Sequence, residues 1–190
     1  MKTAYQLLLG AIRGENEDRT FVDLWKLKIP PKAAVFASRL IRDRLPTRTN
    51  LRSRQVEIND SRCPLCNISE EDATHLFCNC SKTLPLWWES LSWVNTLGVF
   101  PQNPKDHFLQ HDSGSAVGIK ATRWKCWWVA LTWTIWKHRN GTVFANQTFD
   151  GSKVLDDAVL LTWTWLKAME KDFTLHFNHW STHLTEAFRN

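Results

Sequence analysis

Apolar residues recur at helical spacing through most of the chain, and turn-forming residues separate the runs. Tyr5, Leu8, Leu9 and Ile12 share one face of a helix predicted over residues 3–13. A polar loop at 14–19 leads into an apolar run with interleaved Lys over 21–29. Pro30-Pro31 ends that run and suits the first turn of a helix, where the missing proline N–H costs nothing. This helix is predicted to reach about Arg44, with Ala33, Phe36, Ala37, Leu40 and Ile41 inward. Leu45-Pro46-Thr47 breaks it, and Thr47 is placed to cap a second short helix through about Arg54. Val56 and Ile58 suggest a short extended piece.

Further on, Leu84, Trp87, Trp88, Leu91 and Val94 predict a helix over 84–97. Residues 98–118 carry Gly98, Pro101, Asn103, Pro104, Ser113, Gly114 and Gly118, and are read as an irregular linker. Trp124, Trp127, Trp128, Leu131, Ile135 and Trp136 fall on one face of a helix predicted over 119–140. Lys137, His138 and Arg139 would sit in its last turn, favourable to the helix dipole, with Gly141 as the stop. Val154, Ala158, Leu161, Trp165 and Met169 predict a last long helix over 152–171. The expected fold is mainly α: a small helical module over 1–97, a linker over 98–118, and a Trp-rich helical region over 119–190.

Charge sharpens this picture. The net charge is +5, but residues 26–54 alone hold nine Lys/Arg against one acid, Asp43. The basicity is therefore local, on two consecutive predicted helices, where Lys32, Arg39, Arg42, Arg48, Arg52 and Arg54 can neutralise several phosphates. No base-reading pattern is visible, so backbone and shape recognition of RNA or DNA is expected. No stretch approaches the roughly 18 uncharged apolar residues of a membrane span. The N-terminus shows no cleavable-signal pattern. The expectation is an intracellular, nuclear protein in which the five Cys are thiols or metal ligands rather than disulfides.

One segment carries metal chemistry: Cys63-Pro-Leu-Cys66 followed by His75-Leu-Phe-Cys-Asn-Cys80, or C-x2-C-x8-H-x4-C. Two thiols two residues apart make a tight knuckle, and a His/Cys pair completes a tetrahedron. Soft S and N donors in a closed set select zinc and leave no position for water, which points to a structural ion. Cys78 competes for the fourth position; Cys80 is preferred because Glu70-Glu71-Asp72 and Thr74 suggest a helix entry near His75 from which an i,i+5 residue reaches back. Cys126 reads as core.

Several stretches together resemble a known family. They are Leu24-Trp25-Lys26-Leu27-Lys28-Ile29-Pro30-Pro31-Lys32, Phe36-x-x-Arg39, Arg44-Leu45-Pro46-Thr47-Arg48-x-Asn50-Leu51-x-x-Arg54, Cys63-Pro-Leu-Cys66, Glu71 and His75-Leu-Phe-x-x-Cys80. This set resembles the zinc-binding domain that follows the reverse transcriptase in plant LINE-type retrotransposons. Trp133-x-x-Trp136-Lys137-x-Arg139-Asn140-x-x-x-Phe144 looks like a segment further downstream in the same polyproteins. The family usually has an aromatic where this chain has Ser38, and Gly where it has Gln55. The resemblance implies nucleic-acid contact by the tail of an element-encoded polymerase.

Other chemistry finds little support. Asp156-Asp157 lies in a predicted helix start, and no set of spaced acids suggests a polymerase or ribonuclease H centre. No Walker loop or Ser-His-Asp arrangement is present, so no catalysis is expected. His176, His179 and His183 lack an acid or Cys to complete a metal set. A second reading is a zinc-stabilised protein-interaction module that docks through the Trp-rich helices.

Overall fold

The computed structural model describes residues 19–94, 100–110, 121–171 and 173–188. The helix predicted over 3–13 lies outside them. Every regular element among the described residues is helical, as the apolar spacing predicts.

The basic segment forms two helices whose ends are built alike. Residues 27–30 join helices α1 (Arg19–Lys26) and α2 (Pro31–Ile41), with Pro30 at the N-cap of α2. α2 stops short of Arg44 because Asp43 adopts left-handed backbone at φ 50°. The Asp43 N–H donates to the Leu40 carbonyl at 2.9 Å and the Arg44 N–H to the Arg39 carbonyl at 2.7 Å, a Schellman turn. Thr47 caps α3 (Arg48–Ser53), its hydroxyl accepting from the Asn50 N–H. A second Schellman turn follows: Gln55 sits at φ 63° and donates to the Arg52 carbonyl, while the Val56 N–H donates to that of Leu51. The left-handed backbone accounts for the glycine expected at position 55. The Asn50 amide locks the two basic helices together by donating to the Asp43 carbonyl, the Asp43 carboxylate and the Leu45 carbonyl.

Helix α4 (Leu84–Trp93) buries Trp87 but leaves Trp88 about half exposed, so Trp88 is not the inward residue its spacing suggests. α5 (Pro104–Leu109) occupies part of the predicted linker. Asn103 caps it by accepting from the Asp106 N–H, and Phe108 is buried edge-on to Trp128. α6 (Ala121–Ala145) packs along α7 (Gly151–Met169), and α8 (Phe177–Thr182) and α9 (Leu184–Ala187) close the C-terminal end.

Helix α6 departs most from expectation. Instead of one apolar stripe, every residue from Arg123 to Thr132 is buried, as in a helix enclosed on all sides. Trp124, Trp127 and Trp128 have no exposed surface. They are core, and the docking face proposed for them does not exist on these residues. Nor does α6 stop at Gly141. It continues to Ala145, and Asn146 turns the chain at φ 51°. As the chain folds back, the Gln147 N–H donates to the Gly141 carbonyl at 3.1 Å, and a Cβ at Gly141 would meet only the movable end of the Gln147 side chain.

Three buried cations fasten α6 to separate regions. Arg123 forks onto Glu170 at 2.7 and 3.0 Å and reaches the Ala187 carbonyl. Lys125 pairs with Asp23 of α1 at 2.7 Å. Arg139 pairs with Glu71. Phe36 of α2 packs edge-on against Trp133 at 5.2 Å, and Phe77 lies 6.4 Å from Trp136, so the core runs unbroken from α2 into α6. Among the described residues, no helix is long and apolar enough to cross a membrane.

Candidate metal centre

Short-range hydrogen bonds shape the cysteine knuckle. The Cys63 N–H donates to the Ser69 carbonyl at 2.7 Å, and the Asn67 N–H donates back to the Cys63 carbonyl at 2.8 Å. Asn67 takes left-handed backbone at φ 56°, which Asn tolerates. A single antiparallel bridge between Arg62 and Glu70 closes the loop.

The second pair of donors sits on a π-helical turn, His75–Asn79. The Cys80 N–H reaches back five residues to the His75 carbonyl at 2.7 Å, and the Asp72 carboxylate accepts from the His75 N–H at 2.6 Å. The wide turn brings Cys80 beside His75. Cys78 points into the core, where burial pushes its thiol up to about 12. The carbonyls of Leu76 and Phe77 accept from the Thr83 hydroxyl and the Trp87 indole N–H, at 2.8 and 2.6 Å. Helix α4 thus holds the turn that carries the imidazole, a polar role for Trp87 that apolar spacing conceals.

The structure brings Cys63, Cys66, His75 and Cys80 together, with all four donor atoms within 4.8 Å of one another. The Cys63 and Cys80 sulfurs are 3.9 Å apart, and the Cys66 sulfur is 3.3 Å from His75 Nε2. A tetrahedral ion with Zn–S near 2.3 Å and Zn–N near 2.0–2.1 Å has edges of about 3.5–3.8 Å. The donor set fits one such ion, with every position filled by the chain. The hydrogen bond to Cys80, together with burial, pushes the Cys63 thiol up, and the same contact draws Cys80 down. A divalent cation amid the sulfurs favours thiolate throughout the set. His176, His179 and His183 form no such centre; the rings of His179 and His183 stack at 4.4 Å.

The six basic candidates divide by role. Arg48 donates to the Arg62 carbonyl at 2.6 Å and lies 3.6 Å from Asp60, and Arg52 pairs with Glu70 at 3.2 Å. These two tie α3 to the cysteine knuckle. Arg39, Arg42 and Arg54 line a groove of about 530 Å³, together with Arg44, Trp25, Val35, Ser38 and Pro46. Lys32 is exposed outside that lining. The Arg42 guanidinium lies 4.2 Å over the Phe21 ring, and Arg54 donates to the Arg44 carbonyl at 3.3 Å. Arg44 and Trp25 are groove residues that the sequence reading leaves out. The signal for Trp25 is its place directly after Leu24, which is fully buried and so turns its neighbour outward.

Residues 1–87 match the family described as zinc-binding in reverse transcriptase. The chain is also 22% identical over 149 residues to a putative ribonuclease H protein of Arabidopsis thaliana. That alignment covers 78% of the chain but only 24% of the relative, so the chain spans about a quarter of that protein's length. No solved structure matches the chain. The four converging donors and the arginine-lined groove both fall inside the matched segment. Over residues 1–87, a little under half of the chain, the sequence is thus similar to the zinc-binding domains found in reverse transcriptases.

Proposed function

We propose that this chain is a zinc-braced, nucleic-acid-binding module derived from a retrotransposon polyprotein, working in the nucleus and without catalysis of its own. Among the described residues, four guanidinium groups and no carboxylate line one groove, and that asymmetry of charge carries the nucleic-acid reading. Cys63, Cys66, His75 and Cys80 hold the zinc. The ion supplies cross-linking of the knuckle to the π-turn, and a closed ligand set offers no position for a reactive water. Arg48 and Arg52 carry that rigidity into α3, and the Asn50 clamp passes it to the end of α2. The groove between α2 and α3 is thereby held in one shape.

Filter binding to RNA and DNA over a salt series tests this reading. Affinity should fall as salt rises, with a log–log slope of about −2 to −3 if three or four phosphates of a single strand are neutralised. Reversing Arg39, Arg42 and Arg54 to Glu should abolish binding while zinc content stays at one per chain. Failure to bind at low salt, or salt-independent binding, would overturn it. Cleavage of an RNA–DNA hybrid by the purified chain would overturn the non-catalytic part.

A further inference from the structure

We infer that the groove between α1, α2 and α3 takes a single-stranded segment of RNA or DNA, with one base stacked on Trp25. This rests on the nucleic-acid reading above and narrows it to strand type and contact.

The groove is two-sided in its chemistry. Arg39, Arg42, Arg44 and Arg54 supply positive charge, while Trp25, Val35 and Pro46 supply apolar surface. Trp25 is 55% exposed and Val35 45%, so both are open to a ligand. Ser38 lies in the lining at 8% exposure, and its small side chain fills little of the space between them. A duplex offers phosphates to such a surface but keeps its base faces inside the stack. A single strand offers phosphates and free base faces together, matching both halves of the groove. The volume of about 530 Å³ falls within the roughly 300–1,000 Å³ of sites that enclose small molecules, and suits a nucleotide or two rather than a duplex flank.

The cations are placed without being neutralised. Arg42 rests on the Phe21 ring, and Arg54 on the Arg44 carbonyl. The nearby Asp43 carboxylate is engaged by the Asn50 amide at 2.9 Å. Arg39 and Arg44 have no carboxylate partner among the described residues. Fixed, unpaired cations beside an open indole are the two components of sequence-tolerant single-strand binding.

The test measures affinities of the full-length, zinc-loaded chain for a 12-mer in three forms: single-stranded RNA, single-stranded DNA and blunt duplex DNA. A salt series is run for wild type, Trp25→Ala, Trp25→Phe and Arg39→Gln. The single strands should bind more tightly than the duplex. Trp25→Ala should weaken single-strand binding by about 5- to 150-fold and leave the salt slope unchanged. Trp25→Phe should recover most of the loss. Arg39→Gln should weaken binding and flatten the slope by about 0.7. Because Trp25 is exposed, zinc content and thermal melting of Trp25→Ala should match wild type, which confirms that the variant is folded. If the duplex binds as tightly as the single strands, or Trp25→Ala binds like wild type, the inference falls and the broader reading stands. If neither form binds, both fall. Displacement of the single strand by polyglutamate at equal charge concentration would assign the groove to an acidic protein instead.

Discussion

Glu71 and Arg139, 68 residues apart in sequence, form a forked ion pair at 0% and 4% side-chain exposure, with Arg139 Nε 2.6 Å from Glu71 Oε1. The Glu71 carboxylate also accepts from the Arg48 N–H at 3.0 Å, and its carbonyl accepts from the Thr49 hydroxyl and N–H. One residue thus joins the cysteine knuckle, α3 and α6. Removing one partner strands the other charge in the core. Arg139→Leu should therefore cost about 3–5 kcal/mol in urea unfolding, and Glu71→Leu a similar amount. The double variant should recover much of the loss, since a well-packed apolar pair replaces a buried ion pair at little cost. Equal midpoints for wild type and Arg139→Leu would contradict the pairing.

Metal analysis of single Cys variants separates the two candidates for the fourth ligand. Cys63→Ser, Cys66→Ser, His75→Ala and Cys80→Ser should each lose zinc and melt early, as should wild type after chelation. Cys78→Ser should keep one zinc per chain and lose only about 1–3 kcal/mol, from a hydroxyl buried in an apolar site. Loss of zinc in Cys78→Ser would reassign the site.

At the end of α3, Gln55→Gly should raise stability by about 1 kcal/mol, because only glycine adopts φ near 63° without steric cost. Asp43→Gly makes the instructive contrast. It relieves the same kind of strain at φ 50° but deletes a carboxylate that the Asn50 amide grips, so the gain should vanish. Thermal melts of both variants check the difference.

The pair of Asp23 and Lys125 sets a pH dependence. The hydrogen bond from Lys125 is the main reason the Asp23 carboxyl lies below its ordinary value, with burial opposing it. A folded-state value below the unfolded one contributes stability that is complete above about pH 4 and is lost as pH falls through the folded value. The stability gap between wild type and Asp23→Asn should therefore be widest near neutrality and narrow as the solution is acidified towards about pH 3. A gap that widens in acid would reverse the assignment.

The local features were legible in the sequence because each depends on a few neighbouring residues. The Pro31 start of α2, the Thr47 cap and the two long helices of the C-terminal half follow from spacing and cap chemistry alone, whereas α8 and α9 do not. The fastening of α6 was not legible. Arg139 reads as a cation in a last turn, yet it lies well inside a helix that runs to Ala145, and its partner is at position 71. Asp23 and Lys125 are 102 residues apart, and no periodicity links them. The same holds for the aromatic contacts. Phe36, Phe77, Trp133 and Trp136 occur in two stretches that resemble the same polyproteins, and only the fold shows that the stretches touch. At the metal centre, spacing brings out the four donors, but the π-turn that sets Cys80 apart from Cys78 is held from outside by Thr83 and Trp87.

The fastening of α6 also imposes an order on synthesis. Cys63 to Cys80 leave the ribosome well before Arg139, so the knuckle can gather its four donors while α6 is still unmade. Glu71 must then wait, solvated and without its counter-ion, until the residue 68 positions later arrives to dehydrate it. The four donors lie within 18 residues, so a metal needs none of α6 to reach them. The ties of Glu71 to Arg139 and of Asp23 to Lys125 span 68 and 102 residues and wait on α6.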